Sequence, residues 1–167
     1  MKRTTGIIAA LTLTALVPQA MSGQSETTPQ QGTSNTSVVD DMCRGTQKLL
    51  RRLAEASEGI GDDHPASPSE QLRSSANGAV QTIIDERGEY QNPSMDALLL
   101  KQTGKILIKA GGAVTALERA GEASNEEKQA AQESAKRSIG SLCQTVANTE
   151  VKMYREMDRQ DEERVNG

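Results

Sequence analysis

The side chains able to do chemistry in this chain are few and widely spaced. There are two cysteines, Cys43 and Cys143, and one histidine, His64. Any mechanism with a histidine base has that single choice. His64 follows Asp62 and Asp63 and precedes Pro65, which is a polar loop setting. A zinc site needs three or four convergent ligands, so His64 reads as an exposed loop residue rather than a metal ligand. No serine sits in a nucleophile-elbow pattern, and no glycine-rich loop follows a strand to cradle a nucleotide. The 23 acidic residues are dispersed, and nothing in their spacing selects an acid–base pair. The chain therefore reads as a binding protein with no catalytic residue, cofactor or metal. A hydrolase with an unrecognised carboxylate site is the least supported alternative.

What the cysteines do depends on the compartment, and the N-terminus speaks to that. Lys2 and Arg3 precede the apolar run Gly6–Val17, and Ala20-Met21-Ser22 places small residues at a cleavage site. This is the layout of a secretory signal over residues 1–22. Its apolar run is about 12 residues, too short for a membrane span of about 20. Export to a periplasm or to the outside is expected, with no stable membrane insertion after cleavage. In such a compartment two cysteines usually oxidise. A Cys43–Cys143 bridge would close a loop of about 100 residues and stabilise by about 4–5 kcal/mol. The alternative is two buried thiols packed as small hydrophobes.

The chain carries 19 basic and 23 acidic residues, a net charge of −4, and loss of Lys2 and Arg3 makes this −6. An acidic chain lacks the basic surface that nucleic acid or anionic lipid requires. With no Phe or Trp and only Tyr90 and Tyr154, stacking platforms for single strands are missing too. The same scarcity starves β-sandwiches and barrels. Helix formers dominate, and the fold expected is all-α.

Residues 23–36 are rich in Ser, Thr, Gln, Gly and Pro without apolar periodicity, the composition of a disordered spacer. Asn35-Thr36-Ser37 is a glycosylation acceptor sequence wherever that machinery exists. Helix 1 is predicted from Ser37, whose capping box is completed by Asp40. Its apolar stripe is Val39, Met42, Cys43, Thr46, Leu49, Leu50 and Leu53, ended by Gly59 and Gly61. Ser67, Pro68 and Glu70 open helix 2, which buries Leu72, Ala76, Ala79, Val80, Ile83 and Ile84 and ends at Gly88. Asn92-Pro93 opens helix 3, the element around which the rest is organised.

Helix 3 presents Met95, Leu99, Ile106, Ala110, Ala113 and Leu117 on one face, with Leu98, Leu100, Leu107, Ile108 and Val114 widening it. Lys101, Lys105 and Lys109 line an edge, which rules the helix out as a membrane span. Gly104 and Gly111 share a face and suit close approach of a neighbouring helix or a homodimer interface. One helix, bent at most at Gly111-Gly112, is expected. Helix 4 is predicted from the capping box at Ser124, with Ala131, Ala135, Ile139, Leu142, Val146, Thr149, Met153 and Met157 as its stripe. Residues 158–167 form a polar tail. Residues 37–157 are thus expected to be an antiparallel four-helix up-and-down bundle, with helices 1 and 4 adjacent.

Arg44, Lys48, Arg51 and Arg52 fall on one side of helix 1, ahead of Glu55. They can serve as a docking face for an acidic protein partner. The ordinary alternative is a solvated face whose cations pair with carboxylates at helical spacing. An inhibitor, immunity factor or envelope-assembly accessory fits the first reading. A carrier or chaperone for apolar cargo fits the Met and aliphatic stripes, if these line a groove instead of a core.

Overall fold

The computed structural model describes residues 34–61 and 67–167, with side chains from Val38 onward, and these residues are helical with no strand among them. The segment read as a signal, its spacer up to residue 33, and the loop holding His64 lie outside the described residues. Helix α1 spans Ser34–Ala56, so Ser37 falls inside the helix and is not its cap. Gly59 and Gly61 stop it as expected, with φ of +82° and +72°, a region open to glycine at no steric cost.

The second helix is continuous but not uniform. It runs as α2 (Pro68–Ser75), a π turn (Ala76–Val80), α3 (Gln81–Glu86) and a 3-10 turn (Arg87–Tyr90). Ser67 Oγ accepts the Glu70 N–H at 3.2 Å, and Pro68 occupies the first helical position. Helix α4 spans Pro93–Glu122, unbroken at Gly111-Gly112, and the Asn92 side chain accepts the Met95 N–H at 3.0 Å. Helix α5 spans Lys128–Asn166. Ser124 meets Glu127 at 3.0 Å in the turn ahead of it and not as its cap. The residues expected to form a polar tail are helical as far as Asn166, and Gln160 among them is buried.

Polar contacts order the helices. Glu58 pairs with Arg73, Arg51 with Asn77, Gln47 with Gln81 and Asp40 with Arg87, so α1 and the second helix run in opposite directions. Ser94 with Glu156 and Gln102 with Lys152 show the same for α4 and α5. Helix α1 packs on the second helix and α4, while α5 packs on α4 and the second helix. Helices α1 and α5 are therefore opposite one another, not adjacent as expected.

The buried stripes form two clusters. One joins Leu50, Leu53, Leu72, Ile106, Ile139, Leu142 and Val146 to seven alanines: Ala54, Ala76, Ala110, Ala113, Ala116, Ala120 and Ala135. The other holds Val39, Cys43, Ile83, Met95, Leu99, Met153 and Met157. One part of the α4 expectation fails. Leu100, Leu107 and Ile108 do not widen the buried face but are 40, 47 and 76% exposed. The helix supplies more apolar side chains than its packed side can cover, and the excess faces outward.

Candidate partner-binding surface

The outward face of α1 is set by what holds its inward face. Val39, Cys43, Thr46, Leu50 and Leu53 are buried at spacings of three and four, which leaves Arg44, Lys48, Arg51 and Arg52 exposed on the opposite side. Gln47 fixes the rotation of α1 about its axis. Its amide donates to the Ala76 carbonyl at 3.1 Å, where the second helix widens into the π turn, and to Gln81 at 2.7 Å. Arg51 donates to Asn77 Oδ1 at 2.9 Å on the same turn. The other three cations, Arg44, Lys48 and Arg52, take part in no salt bridge among the described residues. Exposed Asp41 and Glu55 flank the strip at its ends.

Cys43 and Cys143 are both free thiols, which overturns the expected bridge. The reason is topological. Cys43 shares a void with Leu99, Thr103 and Thr149. Thr149 is six residues beyond Cys143 in the sequence, which is about 9 Å along a helix. Cys143 instead faces the second helix, in a cleft of about 480 Å³ with Ser75, Gly140 and Ala147. A disulfide needs Cα atoms within about 7 Å and convergent Cβ vectors. Burial pushes both thiols above their ordinary value, opposed at Cys43 by the Arg87 charge and at Cys143 by a hydrogen bond from Ser75. Neither is poised as a thiolate nucleophile.

The most unusual polar group is one the sequence did not flag. Arg87 is 1% exposed and sits between two carboxylates, Asp40 on α1 and Asp96 on α4, the latter at 2.6 Å. Its Nε has no hydrogen-bond partner among the described residues. Asp96 lies in the first turn of α4, where the helix dipole also favours a negative charge. A buried guanidinium cannot shed its proton, so its two carboxylates are what make the position tenable. Around it, Tyr90 donates to Asp161 at 2.8 Å, Arg164 lies 5.2 Å from the Tyr90 ring centre, and Asn92 pairs with Gln160. Glu156 accepts from Arg159, Ser94 at 2.6 Å and Gln160 at 2.9 Å. These bonds, Arg159 first, hold its carboxyl down at about 2. Together they clasp the α3–α4 connection to the last turns of α5.

In sequence, Arg87 stands in the ordinary helix-ending run Arg-Gly-Glu-Tyr, with Asp40 lying 47 residues away and Asp96 nine residues on, across a helix boundary. Asp96, in the first turn after Asn92-Pro93, was the only faint signal. Among the described residues no cluster of three or more His, Cys, Asp or Glu is placed to hold a metal. No described helix is long and apolar enough to cross a membrane. Comparison with known protein families, characterised proteins and solved structures found no match. The reading of function therefore rests on the geometry of this chain.

Proposed function

We propose that this is an exported binding protein. Its four helices form a bundle in which α1 runs antiparallel to the second helix and α4 antiparallel to α5, and its outward α1 face docks an acidic surface of a protein partner. The observation that carries the reading is that Arg44, Lys48 and Arg52 are exposed and make no ion pair among the described residues, on a helix that Gln47 ties to the π turn. Unpaired cations on a rigid face keep their field for a partner and speed encounter with it. The secretory layout of residues 1–22 places the encounter in a periplasm or outside the cell. An inhibitor, an immunity factor and an assembly accessory all use such a face. Cargo carriage has less support: the apolar void between Cys43, Leu99, Ile106 and Thr149 holds only about 10 Å³, and the two clefts of about 480 Å³ are lined largely by polar side chains.

The test is capture from the native envelope or secreted fraction, comparing the wild type with an Arg44→Glu/Lys48→Glu/Arg52→Glu variant. One stoichiometric partner, lost in the variant and weakened by salt, is expected. A partner held equally by both proteins would sink the α1 assignment, and no partner at all would sink the binding reading. Intact mass of the native protein should correspond to a chain starting at Gly23, and a retained leader would overturn export.

A further inference from the structure

Helix α4 carries a second surface, and its occupant is a different one. Its outward side presents Leu100, Leu107 and Ile108, exposed by 40, 47 and 76%. Gly104, Gly111 and Gly112 lie among them, and a Cβ added at any of the three meets nothing within 4 Å. These glycines are therefore not placed for α1 or α5 to approach. Each costs about 1 kcal/mol of helix stability relative to alanine, and no described side chain fills the space they leave, although Ile108 and Gly112 also border a cleft against Ser134, Arg137 and Ser138 of α5. A flat apolar strip with glycine hollows, bordered by charge, is suited to receive another helix with protruding aliphatic side chains. Such a helix exists in the same molecule.

We infer that a second copy of this chain docks on the strip, α4 against α4, antiparallel about a two-fold axis. The register follows from shape. Setting Ile108 of one copy into the hollow at Gly111 of the other also sets Leu107 against Gly112 and Leu100 against the stem of Arg119. The same register brings Lys101 opposite Glu118, twice by symmetry. Both are exposed, and neither takes part in a salt bridge among the described residues. This alignment satisfies shape and charge together. An isologous contact of this kind closes on itself and builds no filament. A single helix face is a small interface, so affinity in the micromolar range is expected.

Sedimentation of the chain from Gly23 onward, across about 1 to 300 µM, should show the mass rise from that of one copy to that of two. Ile108→Glu, at an exposed site that leaves the fold intact by circular dichroism, should hold the protein monomeric throughout. Lys101→Glu alone and Glu118→Lys alone should each weaken the dimer about tenfold. An equimolar mixture of those two variants should restore it, because each then faces its opposite charge. A protein monomeric at every concentration would overturn the inference. So would a dimer indifferent to Ile108→Glu, or one whose two charge variants fail to complement each other.

Discussion

Around Val39, Cys43, Met95, Leu99, Met153 and Met157 the core is made of long or polarisable side chains. Its border is charged, with Arg87, Asp40 and Asp96 at its edge and the Glu156–Arg159 network just outside. Around Ala76, Ala110, Ala113 and Ala135 the core instead sets seven alanines among leucine, isoleucine and valine, with no methionine. The contrast shows two ways of packing helices without phenylalanine or tryptophan. Alanine lets the helix backbones come close, and dispersion over many small contacts does the holding. Methionine fills irregular space and specifies position poorly, so the charged border is what fixes the helix ends there. One half should fail when something is added, and the other when something is removed.

The largest effect should come from Arg87→Ala. It strands Asp96 in a nearly buried position, and breaking a buried pair typically costs about 3–5 kcal/mol. Urea denaturation measures this, and Arg87→Met combined with Asp96→Leu should recover most of the loss. If the single variant costs less than about 1 kcal/mol, the charged border is not what holds that end. Next comes Ala113→Leu, at a site with no exposure, where overpacking should cost about 1–3 kcal/mol. Met153→Leu, equally buried, should stay under about 1.5 kcal/mol because the volume is conserved. Equal costs at the two sites would erase the distinction between the halves.

The smallest effect concerns pH. The Glu156 carboxyl is lowered from 4.5 to about 2 by Arg159, Ser94 and Gln160. A carboxylate depressed in the folded state stabilises above its unfolded value and loses that contribution as protons bind. The contribution is thus complete above 4.5 and disappears on acidification towards about 2. Glu156→Gln should flatten the stability profile in that window, while costing less than about 1 kcal/mol at neutral pH. An unchanged acid slope would show that Glu156 is not a principal acid-sensitive group at this end.

Much of the scaffold was legible because local rules and burial agreed. Ser67-Pro68 and Asn92-Pro93 opened helices as capping chemistry requires. The three-and-four spacing picked out Leu99, Ile106, Ala110, Ala113 and Leu117 on α4, all buried. The π turn at Ala76–Val80 was not legible: Asn77-Gly78 weakens a helix without specifying how it adapts, and Gln47 meets the turn from a different helix. The four cations on α1 were visible as a strip, but whether they were paired could not be read from spacing. Leu100, Leu107 and Ile108 were misplaced because periodicity ranks residues around a helix without saying how wide a neighbour will cover.

By itself, then, the sequence determined that the chain is helical without an aromatic core, where the helices opened by Pro68 and Pro93 start, and much of the stripe each helix buries. Those properties are local, set by backbone capping and by a repeat of 3.6 residues. The tertiary structure alone decided that α1 and α5 are opposite, that Cys43 and Cys143 stay apart, that Arg87 is buried between two acids, and which face of α4 is bare. Each of these is a relation between residues distant in the chain. Amphipathic helices satisfy the same hydrophobic pattern in more than one lateral order, and only the fit of their side chains across the core selects among them.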